Sequence, residues 1–399
     1  MARSNDFLTA LGLSNYTPAK LKALSEELNI PTKRLLYYDE ENVLPLGKDL
    51  DTIQEKRNIS EIELMIQMGH CDDRILAAIK SRPDIIVPLI EEKSAKKRNK
   101  SPKKVLETSY GELYKSDCID LLQQVESDSV DLIFADPPFN LNKLYPSNID
   151  DNLKKHQYLS WSKEWIKECV RVLKFGGSFF LWNLPKWNSS LAECLNTYLT
   201  FRHWVSVDIK YRLPIKGRLY PSHYSLLYYI KGDKPTTFHP DRVPMDVCPK
   251  CLTDLKDYGG YKHKMNPKGV NISDVWLDIP PVRHTKYKRR EGANELSVKL
   301  VDRVIEMASN EGDVVLDPFG GSGTTYITAE LKKRKWIGCE IGPAKDIINR
   351  FERIEEEKQI LNDYRSKTNQ LFTNEVKIKR KKAGLWTCDT FNNQSSSQQ

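Results

Sequence analysis

The chain has 399 residues, long enough for more than one domain with its own hydrophobic core, and its composition of 39% hydrophobic and 29% charged residues is typical of a soluble globular protein. A formal net charge of +8 permits a polyanionic partner without requiring one, and no apolar run reaches the roughly 18 residues of a membrane helix. Because the eight cysteines are scattered and the N-terminus lacks the pattern of a secretory signal, we expect a cytoplasmic protein with reduced thiols and no membrane partner.

The N-terminal part, residues 1–92, carries apolar residues at helical spacing and no clear strand pattern, which predicts a helical accessory domain. Within it, residues 21–45 predict a short helix, a turn at Asn29–Pro31 and a second helix. This segment loosely resembles the helix-turn-helix of MerR-type winged-helix regulators. A plain helical accessory or dimerisation domain fits the same pattern.

Basic segments lie on both sides of the remaining sequence. Residues 93–107 are predicted to form a linker, since seven of the twelve positions from 93 to 104 are Lys or Arg and the stretch contains Pro102. We favour a solvated tether there over an arm that grips DNA. The segment 367–399 is predicted to be a basic tail with a disordered, Ser/Gln-rich end.

After the linker, short apolar runs typical of buried strands alternate with amphipathic stretches typical of helices. The runs are residues 130–135, 178–183, 226–230, 313–317 and 336–341, and the clearest helical stretches are 161–173 and 295–309. This alternation predicts an α/β domain, spanning residues 108–366, with a mostly parallel sheet and helices on both of its faces. Ligands bind such sheets at the carboxyl ends of the strands, where both chemically informative motifs fall.

The first motif is a glycine-rich turn, Asp317–Thr325, between the strand at 313–317 and a predicted helix. Glycines let the backbone approach a ligand closely, and the helix N-terminus offers free N–H groups. Glu340 ends the next strand, 17 residues after Gly323, where a carboxylate accepts hydrogen bonds from ribose hydroxyls. A lone glycine turn also fits a tight strand-to-helix connection. Since neither Gly-Lys-Ser/Thr nor GxGxxG is present, a nucleoside without a pyrophosphate fits best.

The second motif is the turn Asp136-Pro137-Pro138-Phe139, directly after the strand at 130–135. The two prolines have a fixed φ and no N–H donor, so strand pairing stops there and the backbone is rigid. This turn brings a carboxylate, proline carbonyls and an aromatic ring to the ligand edge. The alternative is a capped strand end with a buried phenylalanine.

Together the two motifs resemble those of the DNA amino-methyltransferases, which methylate adenine N6 or cytosine N4 and carry a (D/N/S)PP(Y/F/W) turn and a DPFxGSGTT turn. The glycine turn follows the Asp-Pro-Pro-Phe turn by about 180 residues, an order that matches the permuted β class. The resemblance covers roughly residues 108–355. It implies a Rossmann-like methyltransferase fold, S-adenosylmethionine as cofactor and double-stranded DNA as substrate.

The resemblance also implies roles for individual residues. The catalytic residues would be Asp136, Pro137, Pro138 and Phe139, with Asp136 and the Pro137 carbonyl accepting the hydrogens of the amine and Phe139 stacking on a flipped base. Asp117 matches the acid that contacts the cofactor adenine. The other cofactor-binding residues implied are Asn294, Asp317, Phe319, Gly320, Gly321, Ser322, Gly323, Thr324 and Glu340. An Asp at the first position of the turn favours adenine N6, and cytosine N4 is the alternative.

A target-recognition insert is predicted over residues 232–293, between the two motifs. His239, Cys248, Cys251 and His263 offer four zinc ligands, although two buried or redox-silent cysteines are favoured, since the histidine spacing is not that of a standard finger. The basic segment 283–290 suits phosphate contact, and a solvated loop is its alternative. The candidate DNA-binding residues are His223, Arg283, Lys286, Lys288, Arg289 and Arg290.

A DNA methyltransferase of a restriction-modification or epigenetic system, associated with the nucleoid, is the function favoured by the sequence. A cognate restriction endonuclease and a second copy of the chain are its candidate protein partners. An RNA or protein methyltransferase and a DNA-binding regulator with a vestigial fold are the alternatives. The intact Asp136, Gly320, Gly323 and Glu340 argue against the last of these.

Overall fold

The computed structural model describes residues 2–3, 6–91, 101–141, 152–208, 216–217, 219, 221–243, 256–264, 270–279, 295–367, 378 and 381–382. The chain divides into two compact units. The first comprises residues 1–99 and 152–162, and the second comprises residues 100–151 and 163–399.

The first unit is mainly helical, as its sequence predicts. Its elements are β1 (Ala2–Arg3), α1 (Asp6–Ala10), β2 (Asn15–Tyr16), α2 (Pro18–Leu28), α3 (Thr32–Glu41), α4 (Lys48–Arg57), α5 (Glu61–Gln67), α6 (Asp73–Ser81) and α7 (Pro83–Glu91). The short pair β1 and β2, which is antiparallel, has no counterpart in the predicted pattern. Helix α2 begins after Thr17, whose side chain accepts a hydrogen bond from the N–H of Lys20, and it ends at Leu28, followed by the C-cap Asn29 with a φ of 50°. The helix, turn and helix predicted over residues 21–45 are therefore present.

The second unit contains the remaining strands and helices of the described residues. They are β3 (Lys103–Glu107), β4 (Gly111–Lys115), α8 (Cys118–Leu122), β5 (Val130–Ala135), α9 (Lys155–Val172, whose first part belongs to the first unit), β6 (Leu173–Asn183), α10 (Pro185–Asn196), β7 (Thr200–Asp208), β8 (His223–Ile230), β9 (Arg242–Val243), two 3-10 turns (Tyr258–Gly260 and Lys262–Lys264), β10 (Val270–Asn271), β11 (Val275–Trp276), α11 (Val298–Ala308), β12 (Val314–Asp317), α12 (Thr324–Leu331), β13 (Lys335–Glu340), α13 (Lys345–Glu352) and α14 (Ile354–Lys367).

Most of these strands form one sheet, which has nine strands among the described residues, in the order β11-β7-β8-β6-β5-β12-β13-β4-β3. The pairs from β6 through β5, β12 and β13 to β4 are parallel, whereas β6–β8, β7–β8 and β3–β4 are antiparallel. In β5, the consecutive residues Leu132, Ile133, Phe134 and Ala135 are all fully buried. Because successive side chains of a strand point to opposite faces, both faces of the sheet are covered there. The predicted mostly parallel α/β fold is confirmed.

Two predicted boundaries differ from the structure. The linker predicted over residues 93–107 ends earlier, because Lys103–Glu107 is the edge strand β3, paired with β4. The lysines of β3 point to solvent, as is usual at a sheet edge. The sequence pattern therefore does not separate them from the basic segment that precedes them. Similarly, Val275–Trp276 lies within the predicted insert 232–293 but pairs with β7 as β11 of the main sheet.

Candidate active site

Four carboxylates lie at one edge of the sheet. Strands β5, β12, β13 and β4 are parallel neighbours, and each ends at or shortly before an acidic residue. Asp136 follows β5, Asp317 and Glu340 are the last residues of β12 and β13, and Asp117 follows β4 by two residues. Parallel strands bring their carboxyl ends to the same edge, so motifs that are far apart in the sequence meet there.

The glycine turn is bonded to the end of the neighbouring strand. The N–H of Gly320 donates to the carbonyl of Cys339 at 2.6 Å, and a Cβ on Gly320 would lie 2.8 Å from that oxygen. The N–H of Gly321 donates to Oε2 of Glu340 at 2.9 Å, and the N–H of Gly342 donates to Oε1 at 2.6 Å. Gly320 is therefore required for this close approach, and Glu340 is oriented by two backbone donors.

Helix α12 begins directly after Gly323, which has a φ of 75°. A Cβ there would lie 2.8 Å from Cγ2 of Ile347, so both the backbone conformation and the packing require glycine. Because glycine has no side chain to cap the helix, the first N–H groups of α12 are left to backbone or ligand acceptors.

Asp117 caps helix α8, its side chain accepting a hydrogen bond from the N–H of Ile119 at 2.9 Å. The preceding residue, Ser116, donates its N–H to the carbonyl of Glu340 at 3.2 Å and accepts a hydrogen bond from Sγ of Cys339 at 3.2 Å. These bonds bring Asp117 close to Glu340, the two acids predicted to contact a nucleoside.

Burial changes the acidity of two carboxyls at this edge. It raises the pKa of Asp317 to about 7, and the nearby charge of Glu340 adds to the shift. It also raises the pKa of Asp136 well above its ordinary value, and the charge of Asp317 acts in the same direction. Several carboxyls at one edge repel a phosphate but favour a ligand with hydroxyl donors and a positive charge. The site therefore fits a nucleoside with a cationic group better than a nucleotide.

The Asp-Pro-Pro-Phe turn lies within a group of aromatic side chains. Phe139 is only 7% exposed, and its carbonyl accepts a hydrogen bond from Nε1 of Trp187 at 2.7 Å. Its ring lies 5.8 Å from that of Tyr224, which in turn lies 5.0 Å from that of Trp182. Phe139 is thus packed against its neighbours rather than open to solvent.

Several of these contacts were not predicted. Trp182 and Tyr224 lie on β6 and β8, and Trp187 lies on α10, none of which belongs to either motif. Trp165 of α9 is fully buried and packs edge-on against Phe319 of the glycine turn, with centroids 5.1 Å apart. The signal available for Trp165 was its place on the apolar face of an amphipathic helix.

Some predicted site residues lie outside the described part of the chain. They are Cys248, Cys251, Arg283, Lys286, Lys288, Arg289, Arg290 and Asn294. His223 is described: it begins β8, opposite Asp208 of β7, and is partly buried. Of the histidines proposed as zinc ligands, His239 contacts Oδ1 of Asn310 through Nε2 at 3.1 Å, and His263 is exposed. The described residues contain no cluster of metal ligands, and no helix among them is long and apolar enough to cross a membrane.

Comparison with known proteins gives one consistent family. Residues 130–350 match the N6/N4 methyltransferase family, described as DNA methylase. The Type II methyltransferase M.BamHI of Bacillus amyloliquefaciens is 48% identical over 381 residues, covering 94% of this chain and 90% of that protein. The Type II methyltransferase M.HpaI of Haemophilus parainfluenzae is 34% identical over 228 residues, 57% of this chain and 68% of that protein.

Among solved structures, the PvuII DNA methyltransferase (cytosine-N4-specific) aligns with a TM-score of 0.47 at 21% identity, covering 67% of this chain and 97% of that one. The family match spans more than half of the sequence, and the M.BamHI match spans nearly all of both proteins. The chain belongs to the N6/N4 DNA methylase family and is a DNA methyltransferase that uses S-adenosylmethionine.

Proposed function

We propose that Asp136 directs the transfer of a methyl group from S-adenosylmethionine to the exocyclic amino group of a base flipped out of double-stranded DNA. The observation that carries this proposal is the pairing of β5 with β12 as parallel neighbours. That pairing brings Asp136 and the glycine turn to the same edge of the sheet, although about 180 residues separate them. A base held at one turn then lies beside a cofactor held at the other.

The chemistry requires acceptors rather than a nucleophile of the protein. An exocyclic amine is a poor nucleophile because its lone pair is delocalised into the ring. Asp136 and the Pro137 carbonyl accept its N–H groups, which orients the nitrogen and stabilises the positive charge that develops on it. The cofactor supplies a methyl group on a positively charged sulfonium. The two prolines hold both acceptors in a fixed backbone conformation.

We propose that the cofactor is held by the glycine turn and by the carboxylates beside it. Asp117 and Glu340 are placed to accept hydrogen bonds from the adenosine part, and Asp317 lies between Asp136 and Glu340 in the order of the strand ends. The fit is supported by the missing Cβ at Gly320, where any side chain would meet the neighbouring strand. Asn294 and the remaining residues of the turn complete the proposed set.

The names of the relatives support a proposal for the biological setting. M.BamHI and M.HpaI are named Type II methyltransferases, and we propose that this chain likewise serves a restriction-modification system in the cytoplasm, with a cognate endonuclease as functional partner. Association into a homodimer is part of the same proposal. The choice of adenine N6 over cytosine N4 stays a prediction from Asp136.

The test is methyl transfer to unmethylated double-stranded genomic DNA from labelled S-adenosylmethionine, followed by digestion to nucleosides. We expect N6-methyladenine. N4-methylcytosine would correct the base while leaving the function in place. Parallel reactions with RNA and with protein address the other substrate classes, and label in either of them but not in DNA would contradict the proposal.

A further inference from the structure

A buried ion pair connects the C-terminal helices to the glycine turn. Nε and Nη2 of Arg350, on α13, donate to the two carboxylate oxygens of Glu357, on α14, at 3.0 and 3.1 Å. Both side chains are only 5% exposed. The remaining nitrogen, Nη1, donates to the carbonyl of Ser322 at 2.7 Å and to Oγ1 of Thr324 at 3.0 Å. The guanidinium therefore bonds on both sides of Gly323.

The turn needs such support because of its own composition. Gly321 and Gly323 have φ values of 53° and 75°, and glycine backbones have more conformational freedom than any other. A turn that binds a ligand through backbone groups must hold those groups in place before the ligand arrives. On one side of the turn, the carboxylate of Glu340 accepts a hydrogen bond from the N–H of Gly321. On the other side, Arg350 donates to the carbonyl of Ser322 and to Oγ1 of Thr324. A planar guanidinium suits this task because its donors have a fixed geometry.

Glu357 is the counterpart that makes a buried arginine tolerable. An uncompensated charge inside a protein is strongly unfavourable, and the paired carboxylate both neutralises the guanidinium and fixes its orientation. Glu357 lies beyond residue 350, where the match to the family ends. Helix α14 thus contributes to the geometry of the site from outside the matched region.

We propose that Arg350 is a positioning residue that holds the glycine turn in its cofactor-binding conformation, and that Glu357 holds Arg350. This inference rests on the proposed role of the turn in binding S-adenosylmethionine. Neither residue touches the cofactor in this scheme, so both act on cofactor affinity through Ser322 and Thr324.

The test compares Arg350→Met with a matched control, Arg334→Met. Arg334 is also 5% exposed and donates to Oγ and the carbonyl oxygen of Ser309, at 3.2 and 2.8 Å. It precedes β13, at the opposite end of that strand from Glu340. Both variants lose a buried arginine and its hydrogen bonds, so both should lower the Tm. Only Arg350→Met should disturb the turn.

Isothermal titration of the full-length folded variants with S-adenosylmethionine gives the decisive number. We expect Arg350→Met to raise the Kd about tenfold or more, equivalent to roughly 1.4 kcal/mol. Arg334→Met should leave the Kd within about twofold of wild type. In steady-state assays Arg350→Met should raise the KM for the cofactor and leave the KM for DNA unchanged. Glu357→Gln should change the cofactor Kd in the same direction by a smaller factor.

An equal change in cofactor Kd for the two methionine variants, or no change in either, would overturn the proposal. If Arg350→Met does not fold, Arg350→Lys replaces it, because lysine keeps the charge for Glu357 but lacks the planar fork that reaches both acceptors. An unchanged Kd in that variant would equally count against the proposal. Failure of the wild-type protein to bind S-adenosylmethionine would instead reject the proposed function, so the two failures are distinguishable.

Discussion

The two turns proposed to hold the cofactor and to receive the base are built differently. At the glycine turn, the contacts are hydrogen bonds between backbone groups and buried carboxylates, such as the two that Glu340 accepts from backbone N–H groups. At the Asp-Pro-Pro-Phe turn, the contacts of Phe139 are mainly aromatic packing and one bond from Trp187. A fixed polar cradle suits a ligand that never varies. Aromatic packing allows the rearrangement that a flipped base demands.

The proposed recognition insert is attached to the core at its described flanks by one cluster of side chains around an arginine. Arg303 of α11, 4% exposed, forms a bidentate pair with Asp278, at 3.0 and 2.7 Å. It also donates to Asp241 at 3.2 Å and lies over the ring of Trp276 at 4.8 Å. Burial alone would raise the pKa of Asp278, but Arg303 and Lys299 hold it below its ordinary value. A single arginine thus joins the two sides of the insert.

The largest effect is expected at Asp136. Replacing Asp136 with alanine removes the carboxylate acceptor, and we expect methyl transfer to fall by about 10³-fold or more. Cofactor binding should stay measurable, because the glycine turn is unchanged. Transfer is followed with labelled S-adenosylmethionine and binding by titration. Retained activity would remove Asp136 from the mechanism and, with it, the separate roles of the two turns.

Next in size is the cost of a side chain in the glycine turn. Gly323→Ala places a Cβ 2.8 Å from Ile347 at a φ of 75°, whereas Gly312→Ala has a φ of 86° with open space around it. The control carries only the backbone strain, about 1 kcal/mol. We expect Gly323→Ala to lower the free energy of unfolding by about 2–4 kcal/mol, since overpacking adds to strain.

Denaturant unfolding of both alanine variants measures this difference, and titration gives cofactor affinity. Gly323→Ala should weaken S-adenosylmethionine binding, while Gly312→Ala should not. Equal loss of stability in the two variants would mean that the turn relaxes around Ile347, and that it is less rigid than its contacts indicate.

A moderate and selective effect is expected at Arg303. Arg303→Met keeps much of the side-chain length but removes the one side chain that bonds to both Asp241 and Asp278, which then keep separate partners in Arg365 and Lys299, at 2.9 and 2.6 Å. We expect the KM for DNA to rise about tenfold with the cofactor Kd unchanged, equivalent to about 1.4 kcal/mol. Arg334→Met again controls for lost stability, since its bonds go to Ser309, Lys332 and Glu306. A rise in cofactor Kd with no change in the KM for DNA would contradict the proposed role of the insert in DNA recognition.

The sequence predicts the parts of the site that depend on local signals. Strands β5 and β12 are mostly apolar runs with sharp ends, so the amino-acid pattern alone places Asp136 and Asp317 at the carboxyl ends of the strands. The spacing between Glu340 and the glycine turn predicts the position of that third carboxylate.

The supporting residues carry no comparable signal. Arg350 and Glu357 read as ordinary charged positions of amphipathic helices, because burial of a charge depends on a partner that only folding provides. Arg303 meets Asp241 from 62 positions away. Strand β7 was missed because the first four residues of Thr200–Asp208 are exposed and three of them are polar, as suits a strand near the edge of a sheet.

The smallest effect is a pH dependence of cofactor binding through Asp317. Its carboxyl has a pKa of about 7 in the folded chain and an ordinary value of 3.8 when exposed. The folded state therefore binds the extra proton between these values, and the stability that this group contributes is complete below about pH 3.8 and is lost as the pH rises through about 7. A positively charged sulfonium nearby favours the carboxylate, so binding should release protons near pH 7 and tighten severalfold between about pH 6 and 8.

Calorimetry in two buffers of different ionisation enthalpy counts the protons released. In the wild type the N–H of Phe319 donates to Oδ1 of Asp317 at 2.9 Å. Asp317→Asn keeps an acceptor for this N–H but cannot titrate. Because groups of the cofactor titrate as well, the difference between wild type and Asp317→Asn is the quantity to compare. We expect the wild type to release more protons on binding than Asp317→Asn does near pH 7. If the two proteins release the same number of protons, the charge of the cofactor does not shift the pKa of Asp317, and the carboxyl supports the turn through its hydrogen bond alone.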